Sequence, residues 1–203
     1  MRVPLFPLNT VLFPGGVLSL RVFEARYMDM ARDCLRNGTG FGVCRIVNGA
    51  GEVGGEAQPE AVGCLAEIRQ FDVEQIGLLK LRVLGTTRFR VIDSQRQPNG
   101  LFVAQVEPLP ADKDEPVPEE HAACTRLLSS ILDELGSSTG EDGLGAPIEA
   151  PWRLESSVWV GNRLAELLPV SLLAKQKLME LDDAHSRLEI IHTYLRQHSV
   201  LTG

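Results

Sequence analysis

Two short segments of the chain match patterns that belong to cofactor-binding or catalytic sites. The segment 49–54, GAGEVG, fits the G-x-G-x-x-G pattern, which in dinucleotide-binding folds precedes a helix whose N-terminus holds the pyrophosphate. Gly55 and Pro59 follow instead, and no apolar helical period begins there. The segment 136–140, GSSTG, places Ser138 in a G-x-S-x-G pattern, but a predicted helix precedes it where a nucleophile elbow needs a strand. Neither segment therefore predicts a cofactor site or a catalytic serine.

Histidine and cysteine residues do not form a metal-binding pattern in the sequence. His185 and His192 lie seven residues apart on one face of a predicted helix, and two helical turns is too far for one ion unless other ligands converge. The cysteines have no CxxC spacing, which indicates reduced and mostly buried thiols; they are Cys34, Cys44, Cys64 and Cys124. A G-x-x-x-x-G-K-[ST] phosphate loop is also missing from the sequence. We therefore expect a protein that is not an enzyme and that has no cofactor and no metal.

Charge and composition narrow the class of protein. The chain has 203 residues and a net charge of −7. Residues 1–110 carry a net charge of +1 and residues 111–203 carry −8, whereas a dedicated nucleic-acid-binding protein presents a basic surface. No apolar run approaches the ~18–20 residues that span a bilayer, and the first residues do not resemble a signal peptide. We therefore expect a cytoplasmic protein that does not contact a membrane.

The first half of the chain is predicted to form strands around one helix. Alternating apolar residues and Pro-Gly turns are typical of strands, and the prolines at 4, 7 and 14 place their segments at sheet edges or strand ends. A helix is predicted at 24–36, and Gly38 would end it. Its apolar stripe comprises Tyr27, Met28, Ala31, Cys34 and Leu35. Gly85 inside a later strand indicates a bulge or bend. Many short strands around one helix favour a closed or partly closed barrel.

The second half of the chain changes to a helical period after the charged, proline-rich segment 111–118. Four helices are predicted, at 119–135, 152–168, 171–181 and from 182 onwards. The inward faces predicted for the first and last of them comprise Cys124, Leu127, Leu128, Ile131 and Leu135, and Ala184, Leu188, Ile191 and Leu195. Short connections favour an antiparallel bundle. The predicted fold is α+β, with a β-barrel domain at 1–110, a linker at 111–118 and a helical bundle domain at 119–203.

Three blocks of the sequence, in this order, resemble the N-terminal substrate-binding domain of the Lon ATP-dependent protease. The blocks are LFPGGVLSLRVFEARYMDMARDCL at 12–35, KLRVLGTTRFRV at 80–91 and LLPVSLLAKQKLMELDDAHSRLEII at 167–191. They match the family's FPG-type turn, its Gly-x-x-Arg-x-Arg hairpin and its Leu-Pro segment followed by Lys-Gln and Glu. A further stretch, SSVWVGNRLAELLP, is similar to free-standing members of the family.

The resemblance implies a PUA-like β pseudo-barrel followed by a helical bundle, and it implies binding of unfolded protein or of partner segments. It implies no catalysis, because the protease's Walker motifs and Ser-Lys dyad belong to later domains that this sequence does not contain. A separate ATPase or protease is an expected partner. The expected function is therefore that of a non-enzymatic module that binds protein or peptide.

Six apolar residues are candidates for the partner-binding surface: Phe13, Pro14, Phe23, Tyr27, Trp152 and Trp159. Large apolar side chains usually belong to the core, so a purely structural role is the favoured alternative for each of them. The two tryptophans lie seven residues apart, which places them on one face of the predicted helix. An alternative function is RNA binding, since PUA-like barrels often bind RNA. It would use an arginine-rich face formed by Arg82, Arg88 and Arg90, with Arg96 nearby.

Overall fold

The structure is a computed structural model that describes residues 1–47, 58–135 and 146–200. The chain divides into two compact units, Met1–Leu109 and Pro110–Gly203. Within the described residues, a largely antiparallel sheet and one helix form the first unit, and four helices form the second. The segments 49–54 and 136–140, which match cofactor and nucleophile patterns, lie outside the described residues.

Seven strands form the sheet of the first unit within the described residues. They are β1 (Arg2–Leu8), β2 (Val17–Val22), β3 (Phe41–Val47), β4 (Gln58–Pro59), β5 (Val62–Gln75), β6 (Leu78–Arg96) and β7 (Phe102–Pro108). β1, β7, β6, β5 and β3 pair in that order, and a parallel β1–β3 pairing closes the circuit. β2 pairs with β6 outside this circuit. The apolar side chains of these strands surround a core that includes Leu5, Phe41 and Phe89.

β1 pairs with β7 and with β3, so the prediction of a sheet edge was wrong, whereas Pro7 lies next to the end of the strand, as the other alternative predicted. Pro4 lies opposite Val103 of β7, and Pro7 lies opposite Cys44 of β3. A proline is tolerated here because each half of β1 pairs with a different neighbour, so that one missing N–H removes few ladder hydrogen bonds. Each of these two prolines thus lies in a part of β1 that is paired with a neighbouring strand.

The turn that precedes β2 is held against Gly85 of β6. The Gly15 N–H donates to the Gly85 carbonyl at 2.8 Å, and the Gly85 N–H donates to the Gly16 carbonyl at 2.8 Å. Gly15 has a φ of 75°, which favours glycine. The β5–β6 register shifts beside Gly85, so the predicted irregularity at this glycine is confirmed. The first two of the three sequence blocks are therefore joined directly by main-chain hydrogen bonds.

The single helix of the first unit, α1 (Ala25–Asn37), agrees closely with its prediction. Gly38 ends it with a φ of 63°, and the Gly38 N–H donates to the Cys34 carbonyl. The buried side chains are Tyr27, Met30, Ala31 and Cys34. Met28 is partly buried and packs against the core, whereas Leu35 is exposed, so the predicted stripe was wrong at Leu35. The buried residues Tyr27, Met30, Ala31 and Cys34 follow the spacing i, i+3, i+4 and i+7, which defines one helical face that excludes Leu35.

The second unit contains α2 (Ala122–Leu135), α3 (Ser157–Leu167), α4 (Leu172–Glu180) and α5 (Ala184–Gln197), with a 3-10 turn at Glu119–His121 before α2. The predicted inner face of α5 is confirmed. The buried residues of α2 are Cys124, Leu128 and Leu132, whereas Leu127, Ile131 and Leu135 are partly buried. Among the described residues, no helix is both long enough and apolar enough to cross a bilayer.

α3 begins five residues later than its predicted start at 152. The Ser156 side chain accepts a hydrogen bond from the Trp159 N–H at 3.0 Å, which caps the helix at this point. Trp152 therefore precedes the helix, and the prediction that Trp152 and Trp159 share one helical face was wrong. The helix was predicted to begin at 152 because the apolar pattern extends to that residue. The hydrogen bond of the Ser156 side chain instead fixes the start of α3 at Ser157.

The segment 111–118 is tied to the helices of its own unit. Asp112 accepts a hydrogen bond from Arg187 at 2.7 Å, and Asp114 accepts one from the Ser156 hydroxyl at 2.6 Å. The Val117 N–H donates to the Glu155 carbonyl at 3.0 Å. This segment, predicted as a linker, therefore has specific hydrogen bonds within the second unit.

Candidate functional site

A groove in the first unit brings together two of the residues that the sequence suggested for partner binding. We call it the β2–α1 groove; it encloses about 380 Å³, and its walls include Phe6, Phe23, Arg26, Tyr27, Arg96 and Phe102. Phe23 directly follows β2, and Tyr27 lies in the first turn of α1. The chain passes from strand to helix within a few residues, so both side chains reach one concave surface.

The floor of the groove is aromatic. The rings of Phe6 and Tyr27 stack with their centroids 4.1 Å apart and their planes 22° apart. The ring of the buried Phe41 also packs against Phe6, with a centroid distance of 5.9 Å. Burial raises the pKa of Tyr27, an effect that the adjacent Arg26 cation opposes. The phenol therefore stays neutral near pH 7, and the floor offers a flat apolar face.

The rim of the groove combines an exposed aromatic ring with charged groups. Phe23 is 71% exposed, which is uncommon for a phenylalanine side chain. Arg26 lies over the Tyr27 ring, with its guanidinium carbon 4.7 Å from the centroid. It donates to the Gly100 carbonyl at 2.9 Å and pairs with Glu24 at 2.7 Å. Such a groove can take an apolar side chain between Phe23 and the floor.

Phe13 and Pro14 do not reach this surface. Phe13 is completely buried in the core, and Pro14 is partly buried in the turn that rests on Gly85. Phe13 therefore fills the core and Pro14 belongs to the turn, which are structural roles that the sequence left open for both residues.

The two tryptophans belong to the second unit and take different positions. Trp152 is 39% exposed and precedes α3, whereas Trp159 is partly buried within α3. An apolar pocket of about 280 Å³ in the same unit does not include them; it lies between α4 and α5, with walls that include Leu168, Leu178, Ile190 and Tyr194.

The arginines proposed for anion binding do not present a common charged face. Arg82 and Arg88 are buried, at 3% and 4% exposure, whereas Arg90 is exposed. Arg96 is also exposed, and it lines the β2–α1 groove rather than a separate basic face. Binding of a nucleic-acid backbone requires exposed cations, so the buried pair does not suit that role.

Sequence reasoning missed an apolar surface on the β5–β6 hairpin. Phe71 and Val73 of β5 are exposed, and so is Ile76 in the connecting turn. The alternation of residues 71 and 73 was visible in the sequence, but alternation does not tell which face of a strand meets solvent. Solvent exposure of this face is therefore known only from the structure.

A cluster of possible metal ligands lies in the second unit. His121, Glu189 and His192 have ligand atoms that all lie within 4.8 Å of one another. His121 Nε2 and Glu189 Oε2 are 2.7 Å apart, and this contact lowers the pKa of Glu189. His185 is not part of the cluster; its Nε2 lies 3.5 Å from Glu115. The sequence placed His192 on one helical face with His185, whereas the fold brings it next to His121.

The cysteines are buried, as predicted. Burial raises the pKa of Cys44 to about 12 and the pKa of Cys124 to about 11. Since the thiolate is the reactive form, neither residue has the character of a nucleophile at neutral pH.

Comparison with known protein families gives one match over nearly the whole chain. The model of the ATP-dependent protease La (Lon) substrate-binding domain matches residues 2–197. Among curated proteins, the protein cereblon of Danio rerio is 32% identical over 113 residues, and that of Gallus gallus is 29% identical over 113 residues. These alignments cover 54% and 53% of this chain, but only 26% and 24% of the relatives' own length. The chain thus spans about a quarter of each of these relatives.

Two solved structures share the fold. The Lon N-terminal domain protein from Xanthomonas campestris is 39% identical, with a TM-score of 0.76, and the match covers 96% of this chain and 98% of that one. The N-terminal domain of the Mycobacterium avium complex Lon protease is 17% identical, with a TM-score of 0.67 and coverage of 98% and 100%. At that lower identity the second match concerns the fold alone.

Proposed function

The chain belongs to the Lon substrate-binding domain family, and from that premise we propose that it is a non-enzymatic module that binds unfolded or partner protein segments. It acts in proteolysis in the cytoplasm, where a separate ATPase or protease uses the protein it has bound. Its two units are two domains, a PUA-like pseudo-barrel at 1–109 and a helical bundle from 110 onwards.

The β2–α1 groove is the observation that carries this proposal. An exposed Phe23 stands beside the stacked rings of Phe6 and Tyr27, and this arrangement holds an apolar side chain of another chain. Aromatic anchors of this kind supply most of the binding energy in protein interfaces. The volume of about 380 Å³ also falls in the range of ligand pockets.

The charged groups at the rim support a peptide as the ligand. Glu24 and Arg26 present a carboxylate and a guanidinium beside the apolar floor. An extended peptide carries both hydrogen-bond donors and acceptors on its main chain, and a rim of mixed charge can satisfy both. Protein segments with exposed apolar residues therefore suit the groove best.

The test measures binding of reduced, carboxymethylated α-lactalbumin, labelled with a fluorophore, by anisotropy. Phe23→Ala is expected to weaken binding by about tenfold, equivalent to about 1.4 kcal/mol, because truncation removes the exposed aromatic anchor. The matched control is Phe71→Ala, which removes another exposed phenylalanine of the same unit, on the β5–β6 hairpin. It is expected to leave the affinity unchanged.

Two outcomes would contradict the proposal. Loss of binding with Phe71→Ala but not with Phe23→Ala would move the binding surface to the β5–β6 hairpin. Saturable capture of total RNA that weakens steeply with salt, without capture of unfolded protein, would replace protein binding with RNA binding. The measurement is therefore repeated with labelled RNA at two salt concentrations.

A further inference from the structure

We propose that His121, Glu189 and His192 bind a divalent transition-metal ion of the zinc class. The proposal concerns the second unit alone and does not depend on the β2–α1 groove. Two imidazoles and one carboxylate are a donor set that proteins use for zinc, with water as the fourth ligand. Glu189 is 63% exposed at its side chain, so solvent reaches the cluster and can supply that water.

The backbone brings these three residues together from distant parts of the sequence. Glu189 and His192 are three residues apart on α5, a spacing that places both on one helical face. His121 ends the 3-10 turn Glu119–His121 just before α2. The His121 and His192 rings meet edge to face, with centroids 5.2 Å apart and planes at 69°. A metal ion here would link α5 to the start of α2.

His121 is the residue that the fold alone leaves incompletely satisfied. It is 4% exposed, and its Nδ1 has no hydrogen-bond partner among the described residues. A buried polar atom without a partner is rare and calls for an explanation. His121 Nε2 faces Glu189, so Nε2 is the nitrogen that would share an ion with this carboxylate. The ring proton of the neutral, metal-binding form then lies on Nδ1, where a water would complete the site.

The distances are close to those that a bound ion needs. A tetrahedral zinc ion with bonds of about 2.0–2.1 Å places its donors about 3.4 Å apart. The ligand atoms lie within 4.8 Å of one another, and the His121–Glu189 contact is 2.7 Å. The His121–Glu189 distance must widen, and the longest distance within the cluster must shorten, each by about an ångström. Rotation of the exposed Glu189 side chain and of the partly buried His192 ring can provide both changes.

The surrounding charge also favours a cation. Residues 111–203 carry a net charge of −8. Glu120 and Asp183 line the cleft of about 490 Å³ in which His121 and Glu189 also lie. Acidic walls raise the local concentration of cations. Because two of the three ligands are imidazoles, the site selects a transition metal over Mg²⁺ or Ca²⁺, which prefer oxygen ligands.

The experiment uses the full chain, freed of metal by a chelator and titrated with zinc chloride in a calorimeter. We expect one ion per chain with a dissociation constant of about 10 µM or tighter, and a thermal midpoint that rises with zinc and falls back with chelator. Cobalt(II) is expected to give the visible absorption of a four-coordinate ion. Magnesium chloride is expected to give neither heat nor a thermal shift.

Two variants test the ligands without removing a buried side chain. His192→Ala and Glu189→Gln are each expected to weaken zinc binding by at least about tenfold, while the far-ultraviolet spectrum without metal stays unchanged. His198→Ala, which removes an exposed histidine from the end of the same helix, is the matched control and should bind zinc as the parent chain does. Zinc binding that is weaker than about 1 mM in the parent chain, or that both ligand variants retain, would overturn the proposal.

Discussion

Gly85 has no room for a side chain, because a methyl group built there would overlap the carbonyl oxygen of Phe13. The main chain around it is fixed on both sides by hydrogen bonds to Gly15 and Gly16. The turn carries Phe13 into the core and leads into β2, which ends next to Phe23. A single glycine therefore helps to position the strand that ends beside the β2–α1 groove.

Gly85→Ala is expected to lower the free energy of unfolding by about 1–3 kcal/mol, because the turn must move away from β6 to admit a methyl group. Urea unfolding followed by circular dichroism measures this change. Gly161→Ala is the matched control, since a methyl group there meets Arg187 and Leu188 at ordinary contact distances of 3.6 Å or more. It lies inside α3, where alanine is the better helix former by about 1 kcal/mol. Equal losses in both variants would contradict the predicted role of Gly85.

Buried arginines organise the elements of the second unit. Arg187 of α5 is 1% exposed and donates to the Leu178 carbonyl at 2.9 Å and to the Leu181 carbonyl at 2.6 Å, at the end of α4. Its third contact is Asp112, which lies before the first helix of the unit. One guanidinium thus satisfies helix-end carbonyls that have no partner within their own helix and also holds the entering chain.

Lys175 plays a similar part between α3 and α4. Its ammonium group donates to the Glu166 carbonyl at 2.5 Å, in the last turn of α3. Burial lowers the pKa of Lys175, and the nearby Glu166 opposes this effect. The Lys-Gln pair of the third sequence block therefore has a structural explanation, because Gln176 is buried and donates to Glu180 at 2.9 Å.

Arg187→Met is expected to lower the free energy of unfolding by about 3–5 kcal/mol, because the substitution leaves the Asp112 carboxylate buried without its cation. Thermal and urea unfolding both report the change. Arg196→Met, at an exposed position of the same helix, is the matched control and should change stability by less than about 0.5 kcal/mol. If Arg187→Met were as stable as the control, the buried ion pair would contribute nothing to the unit.

Each unit of the whole molecule has the features of an independently folding body. The first has a closed circuit of five strands with Phe41 and Phe89 completely buried. The second buries its own set of helix side chains, including Leu128, Leu164 and Leu188. A core within each unit supplies the apolar burial that a domain of about a hundred residues needs to fold.

Residues 1–109 and 110–203, produced separately, are therefore each expected to fold. The first should give the circular dichroism spectrum of a β protein and the second that of an α protein, and each should unfold cooperatively in urea. The full chain serves as the control, because its spectrum should equal the sum of the two. A fragment that unfolds without a cooperative transition would show that its unit depends on the rest of the chain.

Local rules predicted the elements better than they predicted the surfaces. α1 ends at Gly38 and α4 begins after Ser171, as expected, because a left-handed glycine and a capping serine act on the few residues beside them. The start of α3 was missed because the same kind of cap, at Ser156, interrupts an apolar pattern that continues to Trp152. Capping residues can be recognised in the sequence. The sequence does not show whether the cap or the apolar pattern decides where the helix begins.

The sequence by itself determined the order of strands and helices, the glycine turn and the membership of a family, since these depend on local conformation and on residue patterns along the chain. Only the tertiary structure decided that Phe13 is core while Phe23 is exposed, and that His121 lies against Glu189, 68 residues away. The physical reason is that burial and long-range contact arise when separate elements pack, and no spacing within one segment encodes which side chains will meet.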